Sequence, residues 1–407
     1  MVNSKKKNID IEFLRAAALL MILVQHAEVF IGSKTSPYWT ILRRYMDFWG
    51  SVDLFFCVSG FIITRGLIQE FVAESADARY LISRQLGWRR VAFGFWIRRA
   101  WRLWPSAWLW IVIALCCSAF FNRSGIFGSL SLMARDGLAA WLHLANFHWA
   151  GCYMHGGGSC NFVPSTHVAT TLPTGWSLAV YWSLSLEEQF YFLVPLLFFF
   201  LPKRWIAGAI ALLFVALIPV PRDPLGLAWF VRVDAILVGV AIGWASCVED
   251  PARTEARRQW IKTHRWTVRL LASCMLGGIA LIGVPAYATQ PGTVTLIALM
   301  SGVLVGIARY DADVLIPSWS RPQAALVWVG GRSYCLYLCH MTAYFLAIEL
   351  WFRLGGVGSL ATHIVRVVTA AVLLGIFAEM TARWVETPLR KVGHRKAQHW
   401  LSAPAVH

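Results

Sequence analysis

Charge is scarce in this 407-residue chain. Asp, Glu, Lys and Arg make up 14% of it, where a soluble globular domain carries about 25%, so a fold with a fully solvated surface is excluded. Nine cysteines are present without a CxxC pair, which removes the zinc-ribbon and thioredoxin-like readings and leaves no metal site indicated. No Gly-x-Ser-x-Gly elbow occurs, which argues against a serine nucleophile. There is no repeat of 20 to 50 residues, no low-complexity linker, and no pairing of similar halves such as many transporters show.

What is present is apolar sequence, 58% of the whole. Stretches near the length of a bilayer crossing recur at 12–31, 46–64, 104–121, 177–201, 205–220, 226–247, 270–287, 292–308, 324–350 and 360–384. They predict an all-α, polytopic transmembrane bundle of about ten spans, a single domain over 1–390 followed by a short basic tail at 391–407. The stretch 138–150 is too short to cross. It carries His143, Asn146 and His148 and precedes a Gly-rich loop, so it reads as an interfacial or re-entrant piece.

The net charge of +16 would suit nucleic acid if it lay on one surface, but its distribution points to topology. Lys and Arg concentrate at Lys5 to Lys7, in the loops 65–102 and 253–269, and in the tail from Arg390 to Arg395. With ten spans every cluster falls on the cytoplasmic side, as the positive-inside rule requires, and both termini are cytoplasmic. An eleventh crossing at 138–150 would put the 253–269 cluster outside. No cleavable signal peptide is expected, because the first apolar stretch runs past signal-peptide length, holds charge and lacks a small-residue cleavage site. Cys152 and Cys160 bracket an outer loop where a disulfide could form.

Within the spans, ionisable residues mark candidate chemistry, since an ionisable side chain at bilayer depth is costly and normally faces a bundle interior or a cavity. Arg15 and His26 lie eleven residues apart, close to three whole turns, on one stripe with roughly 16 Å of rise between them. Asp53 opens the second span; Glu187 and Glu188 interrupt Trp182-Ser183-Leu184-Ser185-Leu186; Arg232 and Asp234 begin the sixth. Taken singly, each of these reads first as an interhelical hydrogen bond. At the cytoplasmic mouth of the third span, Arg99 and Arg102 share a helical face, a spacing that presents two guanidinium forks to a phosphate or pyrophosphate; snorkelling and topology control explain them equally well from spacing alone.

Seven motifs in order carry a resemblance. The Arg15–His26 pair, Asp-Leu-Phe-Phe-x-x-Ser-Gly-Phe at 53–61, Arg-Arg-x-x-Arg-Leu-x-Pro at 98–105, Trp-Ser-Leu-x-x-Glu-Glu-x-Phe-Tyr at 182–191, Arg-x-Asp-x-x-x-x-Gly at 232–239, Ser-Tyr-x-x-Tyr-Leu-x-His at 333–340 and Glu-x-Pro at 386–388 together resemble membrane acyltransferase family three. The resemblance covers nearly the whole chain; Cys339 and Met341 beside His340 depart from the neighbours often found there. It implies an O-acyltransferase of the bacterial cytoplasmic membrane that uses acyl-CoA, most often acetyl-CoA, to modify hydroxyls of surface or exported glycans such as exopolysaccharide, O-antigen or a lipid-linked saccharide, here without a fused esterase-like domain. It implies that His26 and Arg15 are essential and that Arg98, Arg99 and Arg102 recognise the donor, a substrate and not a resident cofactor.

Acyl transfer from a thioester needs a base for the acceptor hydroxyl, and neutral imidazole at His26 fits that role. Glu187 or Asp53 would orient the ring, and His340 is the alternative base. His26 lies about fourteen residues into the first span, roughly 21 Å from its cytoplasmic end and past the midpoint of a core about 30 Å thick, so the donor's arm would thread inward to reach it. The competing reading is a transporter or flippase of a lipid-linked sugar.

Overall fold

The computed structural model describes residues 7–27, 29, 41–42, 44–75, 84–155, 159–161, 175–200, 203–316, 320–355 and 360–402. Lys5, Lys6, Gly156 to Gly158 and both chain ends lie outside them. The described residues form helices and no strand: α1 Ile9–His26, α2 Ser51–Ser75, α3 Arg84–Phe120, α4 Leu130–Trp141, α5 Ala145–Met154, α6 Tyr181–Phe200, α7 Lys203–Leu217, α8 Asp234–Val248, α9 Pro251–Thr263, α10 Arg265–Ile282, α11 Thr293–Ala308, α12 Ser320–Gly331, α13 Ser333–Arg353 and α14 Leu360–Met380, then a π-helical turn at Thr381–Glu386 and α15 Thr387–Ser402. The all-α expectation therefore holds. Among the described residues six helical stretches are long and apolar enough to cross a membrane, and Trp205–Leu217 and Thr293–Ala308 are shorter apolar helices. Outward-facing Leu212, Val215, Leu270 and Val368 are well exposed, as side chains against lipid tails are in a chain viewed without its bilayer.

Small residues set the closest crossing. A Cβ at Gly239 would sit 2.1 Å from the carbonyl oxygen of Cys57, and one at Gly60 2.5 Å from that of Ile236. Only glycine lets the backbones of α2 and α8 approach this far, the small-residue packing that replaces hydrophobic drive inside a membrane. These two glycines belong to the motifs at 53–61 and 232–239, so part of that signature encodes packing. Around this pair, α1 lies against α2, α12 and α13, and α13 packs along α14.

The stretch 138–150 covers the turn and flanking residues of a short helical hairpin. Helices α4 and α5 meet at Leu142–Leu144, where His143 takes a positive φ of 56°. Both outer ends return to one place: Asp136 Oδ1 meets His148 Nε2 at 2.8 Å, its Oδ2 accepts from the backbone N–H of Asn161, and Cys152 is disulfide-bonded to Cys160. Irregular backbone at depth must be satisfied by protein. Gln189 Nε2 donates to the His143 carbonyl at 2.9 Å and Ser185 Oγ accepts from the Ala145 N–H at 3.1 Å, both from α6.

The expected span 324–350 is two helices. Gly330 packs against the α1 backbone, where a Cβ would come within 2.1 Å of the Glu12 carbonyl oxygen. The chain breaks at Arg332, whose guanidinium pairs with Glu379. Only α13 has crossing length. At the other end, α14 does not stop at 384: it continues through the π-helical turn into α15, so residues 387–402 of the basic tail are helical. α15 runs back along α3. Trp110 Nε1 donates to Thr381 at 3.1 Å, a Cβ at Gly393 would fall 2.4 Å from that of Trp101, and Trp400 packs on Phe93 at 4.6 Å between ring centres.

Candidate active site

α13 and α1 carry two histidines into contact. His26 Nδ1 and His340 Nε2 are 2.8 Å apart, with the rings nearly parallel at 20°. His340 is fully buried, and its Nδ1 lies 2.6 Å from the carbonyl oxygen of Tyr337. That carbonyl only accepts, so Nδ1 of a neutral His340 holds the proton and Nε2 holds the lone pair. His26 must then donate from Nδ1, which leaves its Nε2 as a free acceptor, the tautomer a general base requires. Tyr344 OH donates to the Leu23 carbonyl at 3.1 Å and pins α13 to this turn of α1.

The two carboxylates expected to orient His26 are engaged elsewhere. Asp53 accepts from Arg232 Nε at 3.2 Å on both oxygens; both residues are fully buried, with the guanidinium packed over Trp229 at 4.2 Å and Trp182 at 4.7 Å. Glu187 Oε2 accepts from Tyr191 OH at 2.6 Å, and Ser59 Oγ lies 2.5 Å from that hydroxyl oxygen. Since the single phenolic proton is committed to Glu187, Ser59 donates to Tyr191. The orienting partner of His26 is His340, and Asp53 and Glu187 hold helices and a cavity wall.

Toward the other end of α1 lies a cavity of about 120 Å³. Its lining includes Arg15, Arg99, Arg102, Glu187, Tyr191 and Tyr337, three guanidinium groups against one carboxylate. Arg15 is fixed by Glu12 at 3.2 Å, Arg99 stacks over Phe95 and Tyr191 at 5.6 and 5.4 Å, and the buried Nε of Arg102 stands 4.0 Å from Glu386, too far for a hydrogen bond. Arg98 faces away and pairs with Glu70. The structure thus gathers Arg15, Arg99, Arg102 and Glu187 in one cavity and His26 with His340 in a second cluster. Along α1 the clusters are about 16 Å apart. Tyr337 joins them: its ring lines the cavity and its carbonyl holds His340.

Motifs far apart in sequence meet in space. Residues 53–61 supply Ser59 to the Tyr191 of 182–191; Ser183 of that motif reaches Tyr337 of 333–340 at 2.6 Å; Arg102 of 98–105 approaches Glu386 of 386–388. Residues 8–380 match the family model described as an acyltransferase domain. The chain belongs to acyltransferase family three. Among curated members, peptidoglycan O-acetyltransferase OatA of Listeria monocytogenes is 24% identical over 96% of this chain and 57% of its own length. A putative O-acetyltransferase of Staphylococcus aureus MRSA252 is 23% identical over 96% and 58%, and O-acetyltransferase OatA of S. aureus NCTC 8325 is 22% identical over 84% and 53%. The chain spans a little over half the length of these relatives. No solved structure matches it.

Tyr191, Tyr337, Ser59 and Glu386 were not singled out as site residues by sequence reasoning. The usable signal was their place inside family motifs, with Tyr191 one turn from Glu187, where side chains at i and i+4 meet.

Proposed function

We propose that this family member is an integral membrane O-acetyltransferase that moves acetyl from acetyl-CoA on the cytoplasmic side to a hydroxyl of an exported or cell-surface glycan. The single observation that carries this reading is the arginine-lined cavity joined through Tyr337 to a histidine pair whose hydrogen bonds leave His26 Nε2 free. Arg99 and Arg102 receive donor phosphates, with bidentate forks suited to them. Arg15 lies deeper, along the path of the thioester arm. At the far end His26 Nε2 takes the proton of the acceptor hydroxyl as its oxygen attacks the thioester carbonyl carbon. The tetrahedral oxyanion then collapses, the carbon–sulfur bond breaks, and the imidazolium returns the proton to the departing thiolate. No covalent acyl-enzyme is required.

The topology belongs to the same reading: ten crossings, both termini inside, the Cys152–Cys160 loop outside on the oxidising face. The relatives named as O-acetyltransferases, one of them acting on peptidoglycan, support a glycan acceptor. The test is thiol release from acetyl-CoA by purified protein in lipid nanodiscs with and without glycan fragments. The reading predicts acceptor-dependent release with acetate esters on the glycan by mass spectrometry. A transporter would bind the saccharide and release no thiol.

A further inference from the structure

The cytoplasmic end of α3 stands beside α15, a helix beyond the 8–380 region matched by the family model. α3 is 37 residues long, about 55 Å at 1.5 Å per residue, well over a hydrocarbon core of about 30 Å. Its Arg84 end therefore extends past the core, and there Phe93, about 40 Å from Phe120 along the helix, packs on Trp400; about two turns further in, Trp101 packs on Gly393. Along this antiparallel pair, Glu386 at the end of the π-helical turn and Arg390 and His394 of α15 follow at i, i+4 and i+8. They are set toward Arg98 and Arg102, which are themselves one turn apart on α3. Glu386 is 3.6 Å from Arg390 and 4.0 Å from Arg102, and His394 is within electrostatic reach of Arg98, Arg99, Arg102 and Arg390.

Five basic side chains thus converge; among the described residues Glu70 pairs with Arg98 and Glu386 with Arg102 and Arg390, while Glu187 and Glu188 face Arg99 from the cavity side. Like charges this close repel, and Arg102 keeps a buried Nε without a hydrogen-bond partner at the cavity lip. An anion of several charges completes the cluster. Resting on the donor reading above, we propose that Arg390 and His394 of α15, with Arg98, form the outer half of the donor site and bind the 3′-phosphate of the adenosine end of CoA. Arg99 and Arg102, which line the cavity, take the diphosphate one step inward. α15 is then a second wall of the nucleotide site. The π-helical turn ahead of it aims Glu386 at Arg102; such turns are frequent at functional sites.

The test compares acetyl-CoA with acetyl-3′-dephospho-CoA, using full-length wild type, R390Q, the R390Q/H394Q pair and the charge-retaining R390K in nanodiscs, with Arg253→Gln in the distant helix α9 as control. A lost charge-assisted contact is worth about 1.5–3 kcal/mol, or roughly 10- to 100-fold. The double variant should raise KM for acetyl-CoA by that factor, leave KM for the dephospho donor and kcat unchanged, and so erase the wild-type preference; R390K should recover part of it. An unchanged preference in R390Q/H394Q overturns the assignment. So does an equal loss with both donors accompanied by a lower Tm, which would make α15 a clamp on α3. A response that follows anionic lipid content of the nanodisc instead of the donor's 3′-phosphate also overturns it, by assigning the cluster to lipid headgroups. Failure of wild type to use either donor would refute the parent reading instead, so that assay comes first.

Discussion

In the proposed transfer, His26 takes its role from one hydrogen bond. Because His340 is locked by the Tyr337 carbonyl, the proton on His26 is held at Nδ1 and the lone pair at Nε2, an arrangement that serine hydrolases obtain from a carboxylate. His26→Gln keeps a polar side chain and cannot take a proton, so acetyl transfer should fall by about 10²- to 10⁴-fold at matched protein level on immunoblot. His340→Gln retains an amide oxygen able to accept from Nδ1 and should keep more activity than His340→Ala, as measured by acetate release from the product. His340→Asp would place a carboxylate beside the imidazole. Its oxygens can also accept from His26 Nδ1, so this variant too should keep more activity than His340→Ala in the same assay. Arg15 and His26 were legible in the sequence because charge inside an apolar stretch stands out. Their partners were not: Asp53 and Glu187 were the natural candidates to orient an imidazole, and only the packing of α13 on α1 shows that a second histidine fills that place. Hydrogen bonds between helices more than 300 residues apart in sequence leave no local trace.

Helical elements were read well where hydropathy and length agree and misread where one residue governs. The span expected at 324–350 averages to apolar although Arg332 divides it, because hydropathy weighs the whole window and the break depends on Gly330 closing onto α1. That 138–150 does not form one long helix was visible in its length and polar residues, but its anchors, Ser185 and Gln189, looked like ordinary members of a buried motif. Gln189→Ala removes the donor to the His143 carbonyl and the partner of Asn146. Each buried polar group left unpaired costs about 1–3 kcal/mol; the variant should therefore show a clearly lower Tm in detergent, while a Tm equal to wild type would mean that the hairpin is held by other contacts. At the crossing of α2 and α8, Gly239→Leu has no space for its side chain and should abolish accumulation of folded protein, read by fluorescence-detected gel filtration.

Across the whole molecule, the proposed transfer requires sidedness: donor phosphates at the α3–α15 mouth and the base near the opposite face. Single cysteines introduced in the 253–269 segment, which is helical in α9 and the start of α10 rather than the loop expected, should in a thiol-free background resist impermeant maleimide in intact cells and react after permeabilisation; labelling in intact cells would invert this half of the topology. The family assignment and the bundle were open to sequence reasoning because seven motifs recur in order, whereas the two-cluster site emerges only when those motifs meet in space. The most direct measurement uses proteoliposomes of defined orientation, with labelled acetyl-CoA on the side of α15 and a glycan acceptor on the other. Wild type should place label on the acceptor across the membrane, and His26→Gln should place none above background. Equal transfer by His26→Gln, or transfer only when donor and acceptor share a compartment, would contradict the account.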